Sequence, residues 1–232
     1  MQSAIYKIQV KTLHQEVAQQ IQEMIYSDAL LRGRKIDERR LSEMLGVSRT
    51  PIREALRILS SEGLIDLVPH KGAFVSEFTA KEIEDMFEVM SVLEGTAARQ
   101  ATVNMTSEQF SRIESLHKQL EIQYQNKDHK SYLEINNVLH LYIQELAGNK
   151  ALNSVVRGLR QKILIYRHKQ LYQPERFNHS IQEHRAILHA FRIRDSSLAE
   201  MGMKQHLIAQ SEALVRVSFK DERVLDQKID RP

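Results

Sequence analysis

Apolar residues recur at helical spacing along almost the whole chain. Val17, Ile21, Met24 and Ile25 share one face of a helix that Thr12 opens, with Gln15 in the capping-box position and Gly33 as the break. Leu41, Met44 and Leu45 form the inward face of a short second helix. Asp37 can cap its start, and Gly46 can end it in the left-handed conformation that glycine adopts readily. Ser48 can cap a third helix, with Pro51 in the first turn, where a missing N–H does no harm. Ile52, Leu56 and Leu59 are its buried stripe, and Gly63 ends it. LIDLV and AFVSEF then break the helical period. They are two β-leaning segments separated by PHKG, which predicts a hairpin with a basic tip.

After Phe78 the helical period returns and does not lapse again. Thr79 with Glu82, and Thr106 with Gln109, are capping boxes that open two long helices. Further breaks fall at Asn126–Lys130, Gly148–Asn149, Gln173–Pro174 and Arg194–Ser197. The pattern predicts two domains, residues 1–78 and 79–232, the second all-helical, with no internal repeat or low-complexity tract.

Composition agrees with helices. Only 8 Gly and 4 Pro occur in 232 residues. The absence of Cys excludes disulfides and thiolate metal sites and fits a reducing cytoplasm. The opening MQSAIYKIQVKTLHQE lacks an apolar signal region, and no apolar run nears the roughly 18 residues of a membrane span. A cytoplasmic location is therefore expected. The net charge of +3 says little about partners, but its distribution says more. Arg32 to Arg57 contains eight bases (Arg32, Arg34, Lys35, Arg39, Arg40, Arg49, Arg53 and Arg57) against four acids. Charge alone does not separate a solvated helix face from a polyanion surface.

The segment LGVSRTPIRE narrows this. Two helices joined by a tight Gly turn are the pattern of a helix-turn-helix, whose second helix enters the DNA major groove with its N-terminal residues toward the bases. Ser48 and Thr50 are short and polar, and the helix N-terminus suits a phosphate. Arg49 and Arg53 are four residues apart and share a face, and Arg can read guanine bidentately. Periodicity alone leaves an ordinary three-helix core with a charged surface equally open. The wording LSEMLGVSRTPIREALRILSSEGLIDLVPHKGAFV resembles the winged helix-turn-helix of GntR-family bacterial transcription regulators over roughly residues 10 to 76. That resemblance implies DNA contacts by Arg39, Ser48, Arg49, Thr50 and Arg53. It implies further contacts by the wing residues His70, Lys71 and Gly72 at the minor groove.

Three histidines of the second domain stand beside apolar stripes. They are His140, four residues after Asn136, then His184 near Ile181, Leu188 and Phe191, and His206 between Met203 and Leu207. By spacing such residues are more often core histidines than ligands, although helices each offering one inward ligand are how bundles build metal sites. FEVMSVLEGTAARQA, NNVLH, EHRAILHAFRIRD and MKQHL together look like the all-helical FCD effector domain of the FadR subfamily, over roughly residues 79 to 219. The resemblance implies a divalent ion held by Asn136, His140, His184 and His206, and imidazoles favour zinc, with nickel next. A small carboxylate effector would occupy its open positions. Two departures change that expectation. Asn136 stands where Asp is more frequent, so the ligand set is neutral. Met90 stands where relatives carry an Arg that helps hold an acid. Arg157, Arg160 and Arg167 are weak candidates to replace that Arg, since a solvated or interhelical salt-bridge role is favoured for each.

The expected fold is mainly α, a winged helix-turn-helix of three helices and a hairpin followed by a six- or seven-helix bundle. The expected function is a ligand-responsive transcription regulator, most often a repressor in this family, bound as a homodimer to a near-palindromic operator. A helical metalloenzyme with an appended basic domain is the alternative. No H-E-x-x-H arrangement supports it, and Glu183, adjacent to His184, points elsewhere on a helix. A pure protein-interaction module leaves LGVSRTPIRE unexplained.

Overall fold

A computed structural model describes residues 12–167 and 174–219, with side chains for 12–166 and 175–219. The chain divides into two compact units, Met1–Glu77 and Phe78–Pro232, with the break one residue ahead of the expected one.

The first unit contains α1 (Leu13–Tyr26), α2 (Glu38–Leu45), α3 (Arg49–Ser61), β1 (Ile65–Val68) and β2 (Gly72–Val75). Its core is the stripe expected from periodicity: Ile21 and Ile25 of α1 pack with Ile52, Leu56 and Leu59 of α3, all at most 1% exposed. Asp37 caps α2 by accepting hydrogen bonds from the backbone N–H groups of Arg39 and Arg40. Gly46 closes α2 at φ 66°, where a Cβ would be strained, and so sets the tight turn into α3. The strands pair antiparallel with Ile65 opposite Val75 and Val68 opposite Gly72. The segment before α2 joins the free edge of β2 through Gly33 N–H to Val75 O and Ile36 N–H to Ala73 O. This third strip fixes the wing to the helices.

Three local expectations are corrected. Helix α1 ends at Tyr26, well before Gly33. The Ser27 hydroxyl takes up the Met24 carbonyl, and Asp28 enters the left-handed region at φ 58°, so the chain turns on Ser-Asp rather than on glycine. Met44 is 57% exposed rather than inward, because the eight-residue α2 buries Leu41 alone. Ser48 stands at the N-cap of α3 with extended backbone, but its hydroxyl makes no capping bond.

Among the described residues the second unit contains six helices: α4 (Ala80–Asn104), α5 (Ser107–Asn126), α6 (His129–Ala147), α7 (Lys150–Arg167), α8 (Pro174–Arg192) and α9 (Ser196–Ser218). Both predicted capping boxes open their helices, with Glu82 and Gln109 accepting from the N–H groups of Thr79 and Thr106. Helix α4 is central and packs on α9, α6 and α7. Its approach to α9 depends on Gly95. A Cβ there would lie 3.1 Å from the Glu200 carbonyl oxygen and closer still to the Lys204 side chain. Ile83, Phe87, Met90, Ala97, Ala98 and Ala101 of α4 are buried around it.

Candidate functional site

In the first unit the α3 N-terminus, the start of α2 and the wing border one open cleft of about 620 Å³. Arg39, Arg49, His70, Lys71 and Gly72 line it, as does Lys35, which sequence reasoning counted among the basic residues but did not single out. Ser48, Thr50 and Arg53 lie outside that lining, all three on the exposed side of the α3 start. The wing tip is bent by His70 at φ 62° and Gly72 at φ 106°.

These side chains are held lightly. Arg39 meets Glu43 at 2.9 Å and Arg53 meets Glu38 at 2.8 Å, both between exposed or half-exposed groups. Surface pairs of this kind contribute little to stability and exchange readily for another anion. Asp37 also borders the cleft, but its carboxyl is lowered from its ordinary value, first by the backbone N–H of Arg40, and is committed to its cap. The surface therefore presents guanidinium, ammonium and imidazole groups on either side of a helix N-terminus, a combination suited to phosphates and base edges.

The second unit holds a different kind of site. Helices α6, α8 and α9 bring His140, His184 and His206 together, each at most 2% exposed, with one ring nitrogen of each within 4.8 Å of the others. Two of the rings are anchored identically. His140 donates from Nδ1 to Glu94 Oε2 at 2.7 Å, and Arg160 clamps both oxygens of Glu94. His206 donates from Nδ1 to Glu183 Oε2 at 2.6 Å, and Arg176 clamps both oxygens of Glu183. A ring whose Nδ1 carries the proton has its lone pair on Nε2, and such carboxylate–histidine pairs are the usual support of metal-ligating histidines.

The electrostatics agree. Burial, and then the Arg160 charge, lower His140 to about 3. Burial also lowers His206, and it places His184 well below its ordinary value. All three rings are therefore neutral near pH 7. Burial alone would raise both carboxyls. The Arg160 charge overcomes it at Glu94, which lies well below the carboxylate range, and the bond from Arg176 overcomes it at Glu183, which lies at about 2.

The donor atoms fit a metal ion on an observation of their own. Among the described residues, His140 Nε2, His184 Nε2 and Asn136 Oδ1 are buried without a hydrogen-bond partner. Unpaired buried polar atoms are costly and rare, and four neutral N and O donors on facing helices are a ligand set for a borderline divalent ion. Of the arginines named as effector contacts, Arg157 is exposed, and the Arg167 side chain lies outside the described residues. Arg160 is in the cluster, 7% exposed, with Nη1 unpartnered. Arg176, with Nε unpartnered, Glu94 and Gln210 were missed, and Glu183, set aside because it adjoins His184, enters the cluster through its bond to His206. Met90 is 2% exposed in the core of α4.

Comparison with known proteins places both units. Residues 13–75 match the family model for bacterial regulatory proteins of the gntR family, and residues 85–209 match the FCD domain. The chain is 25% identical over 191 residues to the uncharacterized HTH-type transcriptional regulator YdhC of Bacillus subtilis, covering 82% of this chain and 84% of that one. It is 24% identical over 207 residues to the HTH-type transcriptional repressor RspR of Escherichia coli, covering 88% and 91%. The solved structure of E. coli McbR/YncC has the same fold, with a TM-score of 0.71 at 20% identity over 95% of this chain and 100% of that one.

Proposed function

The chain belongs to the GntR family of bacterial regulatory proteins and carries an FCD domain, and from that premise we propose that it is a repressor whose DNA binding responds to a small organic acid held at a metal ion in the helical domain. It is a transcription regulator rather than an enzyme. Among the described residues no helix is long and apolar enough to cross a membrane.

The observation that carries the reading is the set of three unpartnered donor atoms beside two anchored imidazoles. Asn136, His140, His184 and His206 hold a divalent ion, zinc before nickel. When bound it supplies a Lewis acid with open positions for a carboxylate. The surrounding charges argue for an anion. The Glu94–Arg160 and Glu183–Arg176 pairs cancel and the four donors are neutral, so a +2 ion in this buried site needs an external negative charge. With Met90 apolar, the unpartnered N–H groups of Arg160 and Arg176 are the donors among the described residues that we assign to the rest of such a ligand. Repression is the role RspR is named for, and RspR is a relative across most of both chains.

In the head, Arg49 and Arg53 read base edges, Ser48, Thr50 and Arg39 contact the backbone, and His70, Lys71 and Gly72 enter the adjoining minor groove. One head reads one half-site, so a homodimer on a near-palindromic operator is proposed. The effector changes DNA affinity only through its differential affinity for the bound and free arrangements of the two heads.

Native mass spectrometry of the purified protein tests the reading together with gel shifts on DNA selected in vitro. The expected result is a dimer with about one ion per chain, whose DNA affinity falls when the copurified acid is returned. A protein that takes up neither Zn²⁺ nor Ni²⁺ overturns the metal assignment. A monomer bound to its selected DNA overturns the dimer.

A further inference from the structure

Among the described residues three of the four proposed metal donors have no partner, and the fourth does. His206 Nε2 lies 2.6 Å from the side-chain nitrogen of Gln210, one turn further along α9. The direction of this bond follows from the other side of the ring. His206 Nδ1 faces the Glu183 carboxylate at 2.6 Å, and that carboxylate is clamped by Arg176 and can only accept. The ring proton therefore sits on Nδ1, Nε2 carries the lone pair, and the amide nitrogen of Gln210 donates to it. The same lone pair is the one His206 must offer to an ion. Gln210 is 4% exposed and His206 fully buried, so water does not compete for this bond.

We infer that Gln210 is an internal competitor for the metal, holding the coordinating nitrogen of His206 until the ion takes its place. This rests on the assignment of the four donors above. His140, His184 and Asn136 stand ready to coordinate, whereas His206 joins only after Gln210 lets go. Gln210 thereby weakens metal binding and separates a three-donor from a four-donor state of the site.

The test is Zn²⁺ affinity by chelator competition on the full-length protein, for wild type, Gln210→Leu and Gln210→Ala, with Co²⁺ absorption reporting the coordination number. Leu keeps the buried volume and Ala removes it, so a folding defect in one leaves the other to read, with circular dichroism as the check. Removing a buried hydrogen bond that the ion must otherwise break tightens Zn²⁺ binding by about fivefold to tenfold. Gln210→Leu added to His206→Ala gives no gain over His206→Ala alone, because the competition runs through His206. A packing effect of the new side chain would survive the double change. Equal or weaker affinity in both single variants, with wild type binding Zn²⁺, overturns the competitor role alone. Absence of binding in wild type and both variants overturns the metal assignment and this role with it. Binding by the variants but not by wild type supports the role in its strongest form.

Discussion

The basic cleft of the head and the histidine cluster of the bundle are built on opposite plans. Arg39, Arg49, Arg53, His70 and Lys71 are exposed, and the ion pairs of Arg39 and Arg53 are solvent-screened. In the cluster, Glu94, Arg160 and His140 are buried and joined by bonds of 2.5 to 2.7 Å, and buried His206 meets Glu183 at 2.6 Å. A surface that must meet a hydrated polyanion keeps its charges solvated, and its folding does not depend on them. A site that must hold an ion or a small acid away from water has to satisfy its own charges first, so its binding groups are also structural groups. Substitutions in the cluster should therefore cost stability before they cost function. Substitutions in the cleft should cost DNA binding alone.

The sharpest contrast comes from Glu94. Changing it to Ala or Gln leaves the Arg160 guanidinium buried without its carboxylate, and breaking such a pair from one side destabilises by about 3–5 kcal/mol. Urea unfolding monitored in the helical unit should show that loss. A change under about 1 kcal/mol would mean that Arg160 reaches water and that the cluster is not the closed site described here. Metal removal is the next largest effect. Zn²⁺ at about 100 times its Kd should stabilise the protein by about 2.7 kcal/mol, an increment that a chelator reverses and that His140→Ala/His184→Ala lacks. Measuring the increment rather than the absolute melting temperature separates ligand loss from the packing cost of the two truncations. In the head, Arg53→Ala should weaken binding to the selected operator by about 1–3 kcal/mol, roughly 5- to 150-fold, while unfolding moves by less than about 0.5 kcal/mol. Unchanged gel-shift affinity would remove Arg53 from the reading set. A large stability loss would break the contrast between the two regions.

Local rules made much of the molecule legible. Asp37, Gly46, the Thr79–Glu82 and Thr106–Gln109 boxes and the stripe Ile52, Leu56, Leu59 all act within one helix turn, and the structure uses each as spacing suggests. The errors are local choices that tertiary context or a competing turn decided: Asp28 turning the chain ahead of Gly33, and Met44 on a helix too short to bury it. The three histidines stand out beside apolar stripes, but spacing alone left them core histidines, and only the family resemblance named them as ligands. Their supports could not be named. Glu94 and Arg160 are 66 positions apart, and Glu183 reaches His206 on another helix. A buried carboxylate reads in sequence as one more surface acid until its partner is known. Gln210 was legible in principle, four residues from His206, but glutamine on a helix carries no signal above background.

The smallest effect separates contacts within the cleft itself. Lys71 sits at the exposed wing tip and borders the same cleft as Arg49. An ammonium there acts as a point charge toward phosphate and carries no base information. Lys71→Ala should weaken binding to specific and random DNA by the same factor. It should also reduce the slope of log K against log salt by about 1, the loss of one released counterion. Arg53→Ala should do the reverse, acting on the selected sequence far more than on random DNA. If Lys71→Ala instead changes sequence preference with no change in salt slope, the wing reads bases, and the division of labour between helix and wing has to be redrawn.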